Sequence, residues 1–177
     1  MVDPEGPDPQ RADPREGEPE ADPQSADPQS ADPQSVAEAV RTGMYERDRA
    51  AQVLGIMVEA IGPGFARCRM RVRDDMVQGH ATAHGGLIFT LADTAFAYAC
   101  NACNRVTVAL GAEIAFLAPA RPGDVLSATA RERSRTGRIG IYDVEVENAG
   151  GAVVALFRGT SYETRGGVVA VPGSEQA

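Results

Sequence analysis

The sequence predicts an α+β fold in which an antiparallel sheet wraps around one long central helix, and three observations carry that prediction. Gly86 to Cys100 has apolar residues at helical spacing. Leu87, Ile88, Leu91, Ala92, Ala95, Phe96 and Ala99 run almost all the way round, as in a buried helix. Four strand-like stretches follow: Arg105 to Leu117, Asp124 to Ser134, Gly137 to Glu147 and Ala152 to Thr164. Before the helix, Phe65 to Val72 alternates Ala66, Cys68, Met70 and Val72 with Arg67, Arg69 and Arg71, a half-buried strand with a basic outer face. One apolar helix and one sheet with an apolar face bury each other as two layers.

Taken in order, residues 1 to 36 stand apart. They hold eight of the twelve prolines, no aromatic residue, and the unit Ala-Asp-Pro-Gln-Ser repeated three times from Ala21 to Ser35. Such a segment cannot bury enough apolar surface to offset the entropy of ordering it, so a disordered acidic tail is expected, acting as a flexible spacer. Ten acidic residues against two arginines give this tail the whole net charge of −8, and the remainder is formally neutral. Acidity therefore says nothing about an active site, and it argues against nucleic-acid binding. One domain is expected over residues 37–165.

Within that domain Val36 to Asp48 reads as a short amphipathic helix on Val36, Val40 and Met44. Ile56 to Ile61 reads as a strand, and Gly62-Pro63-Gly64 turns the chain into the next. Arg73 to His84 has no periodicity and is long enough for a functional loop. After the helix, Pro119 to Gly123, Thr136-Gly137 and Asn148 to Gly151 read as hairpin connections of a meander, and residues 166–177 as a flexible C-terminus. No apolar run reaches the roughly 20 residues that cross a bilayer, and no basic-then-apolar secretion signal opens the chain, so a cytoplasmic protein without a membrane partner is expected. Three cysteines, without disulfide-dense spacing, agree with a reducing compartment.

Two features carry chemistry. His84-Gly85-Gly86 precedes the central helix, so the free N–H groups of its first turn and the positive end of its dipole point into the loop. Two glycines let a bulky acyl group approach that backbone, as an oxyanion hole for thioester cleavage requires, although a turn with special dihedrals explains the same glycines. Asp93 lies in the middle of the apolar helix, where an ionised carboxylate is costly unless it is paired or functional; it is a candidate general base or nucleophile, with Thr94 able to satisfy it structurally. Eight residues of helix separate Gly85 from Asp93, about 12 Å of rise, too far for both to touch one carbonyl. A second copy is expected to supply one of them, with the two central helices side by side and antiparallel and two composite sites in the homodimer.

The residues themselves are recognisable. Gln78-Gly79-His80, Ala83-His84-Gly85-Gly86, Leu91-Ala92-Asp93-Thr94-Ala95-Phe96-Ala97-Tyr98-Ala99-Cys100-Asn101, Ile114-Ala115-Phe116-Leu117-Ala118-Pro119, Gly123-Asp124, Tyr142-Asp143-Val144-Glu145 and Ala155-Leu156-Phe157-Arg158-Gly159 resemble the PaaI-type hotdog thioesterases of phenylacetate degradation, over roughly Met44 to Thr164. The resemblance implies a hotdog fold, a homotetramer built as a dimer of dimers, and hydrolysis of acyl-CoA thioesters, phenylacetyl-CoA or its ring-hydroxylated forms foremost, without metal or redox cofactor. It places the catalytic carboxylate on Asp93, the oxyanion-hole N–H on Gly85 and the orienting histidine on His84. The usual loop asparagine six positions earlier is here Gln78, an amide one methylene longer. A hydroxyl that some relatives carry near Ala109 to Gly111 is missing, Thr107 being the nearest.

Gly86 and Thr94 are further candidates for substrate contact. Arg135 and Arg138, clustered with Arg133 at the Gly137 turn, could grip the phosphates of coenzyme A, or form a solvated turn. Cys100 and Cys103 have redox-pair spacing but end a helix, where no thiolate is stabilised, and His80 with His84 lacks a third ligand, so no metal is expected. Phe96 and Tyr98 line an aryl pocket or belong to the core. An enoyl-CoA hydratase would resemble a pattern with a histidine about five residues past an aspartate, absent after Asp93. A non-catalytic acyl-CoA binding module has only the tail and the missing hydroxyl in its favour.

Overall fold

A computed structural model describes residues 31–170; the expectations for the acidic segment up to residue 30 and from residue 171 onward lie outside the described residues. Helix α1 (Pro33–Tyr45) begins three residues before the expected Val36, because the third Ala-Asp-Pro-Gln-Ser unit is itself a helix start. Asp32 caps it, its carboxylate accepting from the Ser35 N–H at 2.9 Å and the Ser35 hydroxyl at 3.0 Å, and Pro33 sits in the first turn where no N–H is missed. Gln34 then donates to the Ile61 carbonyl at 2.8 Å, so this copy of the repeat is part of the folded domain. The expected helix ends at Tyr45, and a second one, α2 (Arg49–Leu54), follows; Asp48 caps it and left-handed Gly55 (φ 69°) stops it.

Strands β1 (Met57–Gly62) and β2 (Phe65–Arg71) form the first hairpin, turning on left-handed Gly64. The loop that follows contains a 3-10 turn at Asp74–Met76 and leads into α3 (Gly85–Asn101). Strands β3 (Thr107–Phe116), β4 (Val125–Thr136), β5 (Ile139–Asn148) and β6 (Val153–Glu163) complete one antiparallel six-stranded sheet. Its order is β1-β2-β4-β5-β6-β3, which corrects the expected meander: β3 lies at the far edge beside β6, and β4 pairs with β2. Pro119 to Gly123 is therefore a crossover and not a hairpin. Two of its residues are prolines with no N–H to give a ladder, and the Ala120 carbonyl instead accepts from Ala83 N–H at 2.8 Å, laying the crossover against the loop before α3.

The sheet curls around α3 because its inner residues are small where the helix approaches. Ala66, Ala128 and Ala130 are fully buried, and a Cβ on Gly159 would stand 2.8 Å from the Phe96 ring. Phe96 packs edge-on to Tyr142 with centroids 5.4 Å apart and lies 5.8 Å from Phe157, so Phe96 and the fully buried Tyr98 belong to the core. Asn101 joins the helix end to β3, donating to the Thr107 carbonyl at 3.0 Å and accepting from Thr107 N–H at 2.9 Å. The expected flexible C-terminus is replaced over residues 166–170 by a docked strap. Asn104, left-handed at φ 57°, accepts from the Val168 and Val169 N–H groups at 2.9 and 3.0 Å, and its amide donates to the Val169 carbonyl at 3.1 Å.

Two surfaces around α3 stay uncovered. Gly86, Thr90, Asp93 and Ala97, one helical stripe, are exposed or half-buried, so the helix is not enclosed all round as its composition suggested. Ala109 and Ala112 on β3 pair with the inward-facing Ser161 and Gly159 and therefore face inward themselves, yet both are exposed.

Candidate active site

The chemistry-bearing end of the molecule is the start of α3. His84 is its N-cap, with φ −65° and ψ 127°, and its Nδ1 accepts from the Gly86 N–H at 3.0 Å. An accepting Nδ1 leaves the ring proton of the neutral imidazole on Nε2. The His84 carbonyl accepts from Leu87 N–H at 2.9 Å and from Ile88 N–H at 3.4 Å. Four N–H groups open any α-helix without intrahelical partners. Of these, His84 N–H donates to the Met76 carbonyl at 2.8 Å, Gly86 N–H to the His84 ring and Leu87 N–H to the His84 carbonyl, and only Gly85 N–H has no acceptor among the described residues.

That N–H borders a cleft of about 350 Å³ between the preceding loop, the helix start and the crossover. Gln78, Thr82, Gly85, Ile88, Phe116 and Pro119 line it. The Gln78 amide nitrogen donates to Thr82 Oγ1 at 3.0 Å and its oxygen accepts from His80 N–H at 3.2 Å, holding a tight turn in which Ala81 takes φ 60°. Gln78 therefore reaches the cleft with both ends of its amide engaged in the loop. His80 itself lies exposed on that turn.

Asp93 is elsewhere. It sits two turns along the half-exposed stripe, and burial pushes its carboxyl above the ordinary carboxylate range, with no cation or donor among the described residues to offset that shift. It does not line the cleft. The structure brings Gly85 and Gln78 to one cleft, keeps His84 off its lining as the cap beside Gly85, and leaves the Asp93 of the same chain outside.

The other expected contacts are placed as follows. Gly86 is exposed, but its N–H is bound by His84 and its carbonyl by the Thr90 hydroxyl at 2.8 Å. Thr94 is buried and donates to the Thr90 carbonyl at 2.7 Å, so it neither pairs with Asp93 nor faces the cleft. Arg135 is held at the far end of the sheet by Glu163 at 3.0 Å, Glu132 at 3.2 Å and the Tyr142 hydroxyl at 2.8 Å. Arg138, near the Tyr162 hydroxyl at 3.5 Å, remains exposed on the β4–β5 turn. Thr107 is buried and donates to the Arg105 carbonyl at 2.9 Å, which removes it as a substitute for the missing hydroxyl. Burial raises the Cys100 thiol to about 12, against thiolate chemistry at the Cys100–Cys103 pair, and no cluster of three or more metal-ligating side chains occurs among the described residues.

Sequence reasoning missed Phe116 at the cleft and Thr90 on the Asp93 stripe. Phe116 read as one more strand residue because no periodicity reveals that β3 ends beside the start of α3.

Comparison with known proteins shows the family and the fold. The model of the family described as "Thioesterase superfamily" matches residues 80–155. The Escherichia coli protein named "Acyl-coenzyme A thioesterase PaaI" is 46% identical over 123 residues, covering 70% of this chain and 88% of its own. Among solved structures, that of the Escherichia coli PaaI protein from the phenylacetic acid degradation operon superposes with a TM-score of 0.76 at 43% identity, covering 77% of this chain and 99% of the other. A Streptococcus mutans protein solved bound to acetyl CoA superposes with a TM-score of 0.60 at 26% identity, covering 63% and 90%.

Proposed function

The chain belongs to the thioesterase superfamily and has its hotdog fold, and from that premise we propose that it hydrolyses acyl-CoA thioesters to the free acid and coenzyme A, with phenylacetyl-CoA or its ring-hydroxylated forms as substrate. One observation carries the reading: the unpaired Gly85 N–H, at the positive end of α3, borders the cleft. A thioester carbonyl oxygen seated there accepts from that N–H, and the bond strengthens as the oxygen becomes an oxyanion. The named activity of the 46% identical relative supports the same reaction.

Asp93 supplies the other half. As a carboxylate it either takes a proton from a water that attacks the carbonyl carbon or attacks that carbon itself, forming a mixed anhydride that water then opens. In both routes the C–S bond breaks, and the departing thiolate takes up a proton to leave as coenzyme A thiol. His84 holds the first turn through Gly86, and Gln78 shapes the loop wall.

Because Asp93 lies about 12 Å along the helix from Gly85, the Asp93 that serves a given Gly85 comes from a second copy. The uncovered helix stripe and the bare inner face of β3 support such a homodimer, as does the unpaired β3 edge with Val108 and Leu110 exposed to 48% and 59%. A groove of about 770 Å³ on the outer sheet face alternates Arg131, Arg133 and Arg158 with Glu113, Glu145 and Glu147, a self-complementary surface that supports pairing of dimers into a tetramer. Arg138 remains free to meet coenzyme A phosphates, whereas Arg135 is taken up by its own network.

The test follows free thiol release from a panel of acyl-CoAs by the wild-type protein and by Asp93→Asn. Release by wild type and loss of at least a hundredfold in the variant is expected. Unchanged turnover in the variant removes Asp93 from the mechanism, and no release from any acyl-CoA favours a binding module.

A further inference from the structure

The ring nearest the unpaired Gly85 N–H belongs to the last residue of β3. A Cβ built on Gly85 would stand 3.0 Å from Phe116 Cζ and 3.4 Å from Cε1, so the ring lies in van der Waals contact with the Gly85 backbone. Among the described residues Phe116 is the only aromatic side chain in the cleft lining, whose other apolar members are Ala83, Ile88, Leu117, Ala118, Pro119 and Ala120. Phe116 is 52% exposed in the single chain, so it is not consumed by the core. Cross-strand pairing with the buried Ala155 puts Phe116 on the inner side of the sheet, the side on which α3 lies.

These placements constrain an acyl group. A carbonyl oxygen bonded to Gly85 N–H stands about 2.9 Å from that nitrogen. A group on its α-carbon can reach the Phe116 ring, which packs against the same glycine. Aliphatic walls accept chains of any shape through area alone, whereas an aromatic wall adds a geometric preference for a second ring, edge-to-face or offset. We propose that Phe116 is the specificity-determining residue of the site, receiving an aryl group carried on the α-carbon of the thioester and so selecting aryl-acyl over aliphatic acyl thioesters. This rests on the thioesterase reading of the same cleft, and it names the side chain that chooses among substrates.

The pair contribution expected of one aromatic contact corresponds to a roughly threefold to tenfold preference. Phe116→Leu keeps an apolar wall of similar bulk without the ring, and Phe116→Tyr keeps the ring. The experiment measures kcat/KM for phenylacetyl-CoA and for hexanoyl-CoA in wild type and both variants, because their ratio cancels any loss common to both substrates. The expected result is a threefold to tenfold fall in the aryl-to-aliphatic ratio for Phe116→Leu and a ratio within twofold of wild type for Phe116→Tyr. Equal losses on both substrates in Phe116→Leu, or an unchanged ratio, overturn the inference while leaving the hydrolysis intact. Should Phe116→Leu fail to fold, the ratio of inhibition constants for phenylacetate and hexanoate with Phe116→Tyr and Phe116→Met decides it: a fall in Phe116→Met alone supports the inference, and no difference between them overturns it. Absence of thiol release by wild type is a separate failure, that of the thioesterase reading itself.

Discussion

Gly85 can be stripped of its N–H with little change to the helix. It is the first helical residue after the His84 cap, the position at which proline is best tolerated because that N–H has no intrahelical partner. His84 already has φ −65° and ψ 127°, within the extended region that a following proline requires. Gly85→Pro therefore deletes the single unpaired donor of the first turn. The ring also brings a Cβ to 3.0 Å from the Phe116 Cζ, and Gly85→Ala brings the same Cβ while keeping the N–H. Comparing the two isolates the donor from the contact. Loss of one oxyanion donor costs about 3 kcal/mol of transition-state stabilisation, or roughly 10²–10³ in kcat. The assay is thiol release at saturating acyl-CoA, with thermal melts to establish that both variants fold. Because the N–H acts chiefly on the transition state, kcat falls in Gly85→Pro while Gly85→Ala loses roughly tenfold or less. A Gly85→Pro kcat within threefold of that of Gly85→Ala refutes the oxyanion assignment.

Other outcomes follow from the same geometry. Asp93→Asn is expected to stabilise the fold at pH 7.5. Burial raises the Asp93 carboxyl in the folded chain above its unfolded value, so folding takes up a proton between the two, and stability falls as pH rises through that interval. For a half-exposed group the gain is about 0.5 kcal/mol, roughly 2 °C in Tm, and a gain that persists unchanged below the interval contradicts the cause given. The acid limb of the kcat profile should fall as Asp93 protonates, with its midpoint above the ordinary value of 3.8; a midpoint at or below that value removes burial from the account. Mixing Gly85→Pro with Asp93→Asn chains should restore roughly a quarter of wild-type activity, since half the dimers then hold one intact composite site; no recovery on subunit exchange means that each site lies within one chain. Asn101→Ala should cost about 3 kcal/mol, near 10 °C in Tm, by leaving the buried Thr107 N–H and carbonyl without partners; a melt within 2 °C of wild type refutes the clamp.

What was legible in the sequence is what local chemistry specifies. The apolar residues of α3, the alternation of β2 and the glycine turns place most elements within two or three residues, and His84-Gly85-Gly86 announces a helix start with free donors. Strand order was not legible. A strand's own residues do not say which strand lies beside it, and a crossover with two prolines looks locally like a turn. The start of α1 was hidden for a different reason. Ala-Asp-Pro-Gln-Ser reads as low-complexity tail when seen three times, whereas its third copy precedes an apolar helical pattern and there becomes a cap. Asn104 escaped notice because its effect lies in docking a segment some 60 residues away.

In the proposed homodimer, the hydrogen bonds at the start of α3 give a reason for a site divided between copies. His84 spends its carbonyl and its imidazole on the first turn, which leaves one donor, and that donor has a fixed direction because the cap is rigid. A carboxylate on the same helix face one turn away would approach the carbonyl oxygen and not the carbon behind it, where its charge would oppose the developing oxyanion. Placing Asp93 two turns along, with no partner among the described residues, keeps the two charges of one copy apart. In the homodimer we propose, an antiparallel neighbour presents its own Asp93 from the other side of the carbonyl, so the separation that would prevent catalysis within one chain becomes the alignment that would permit it between two.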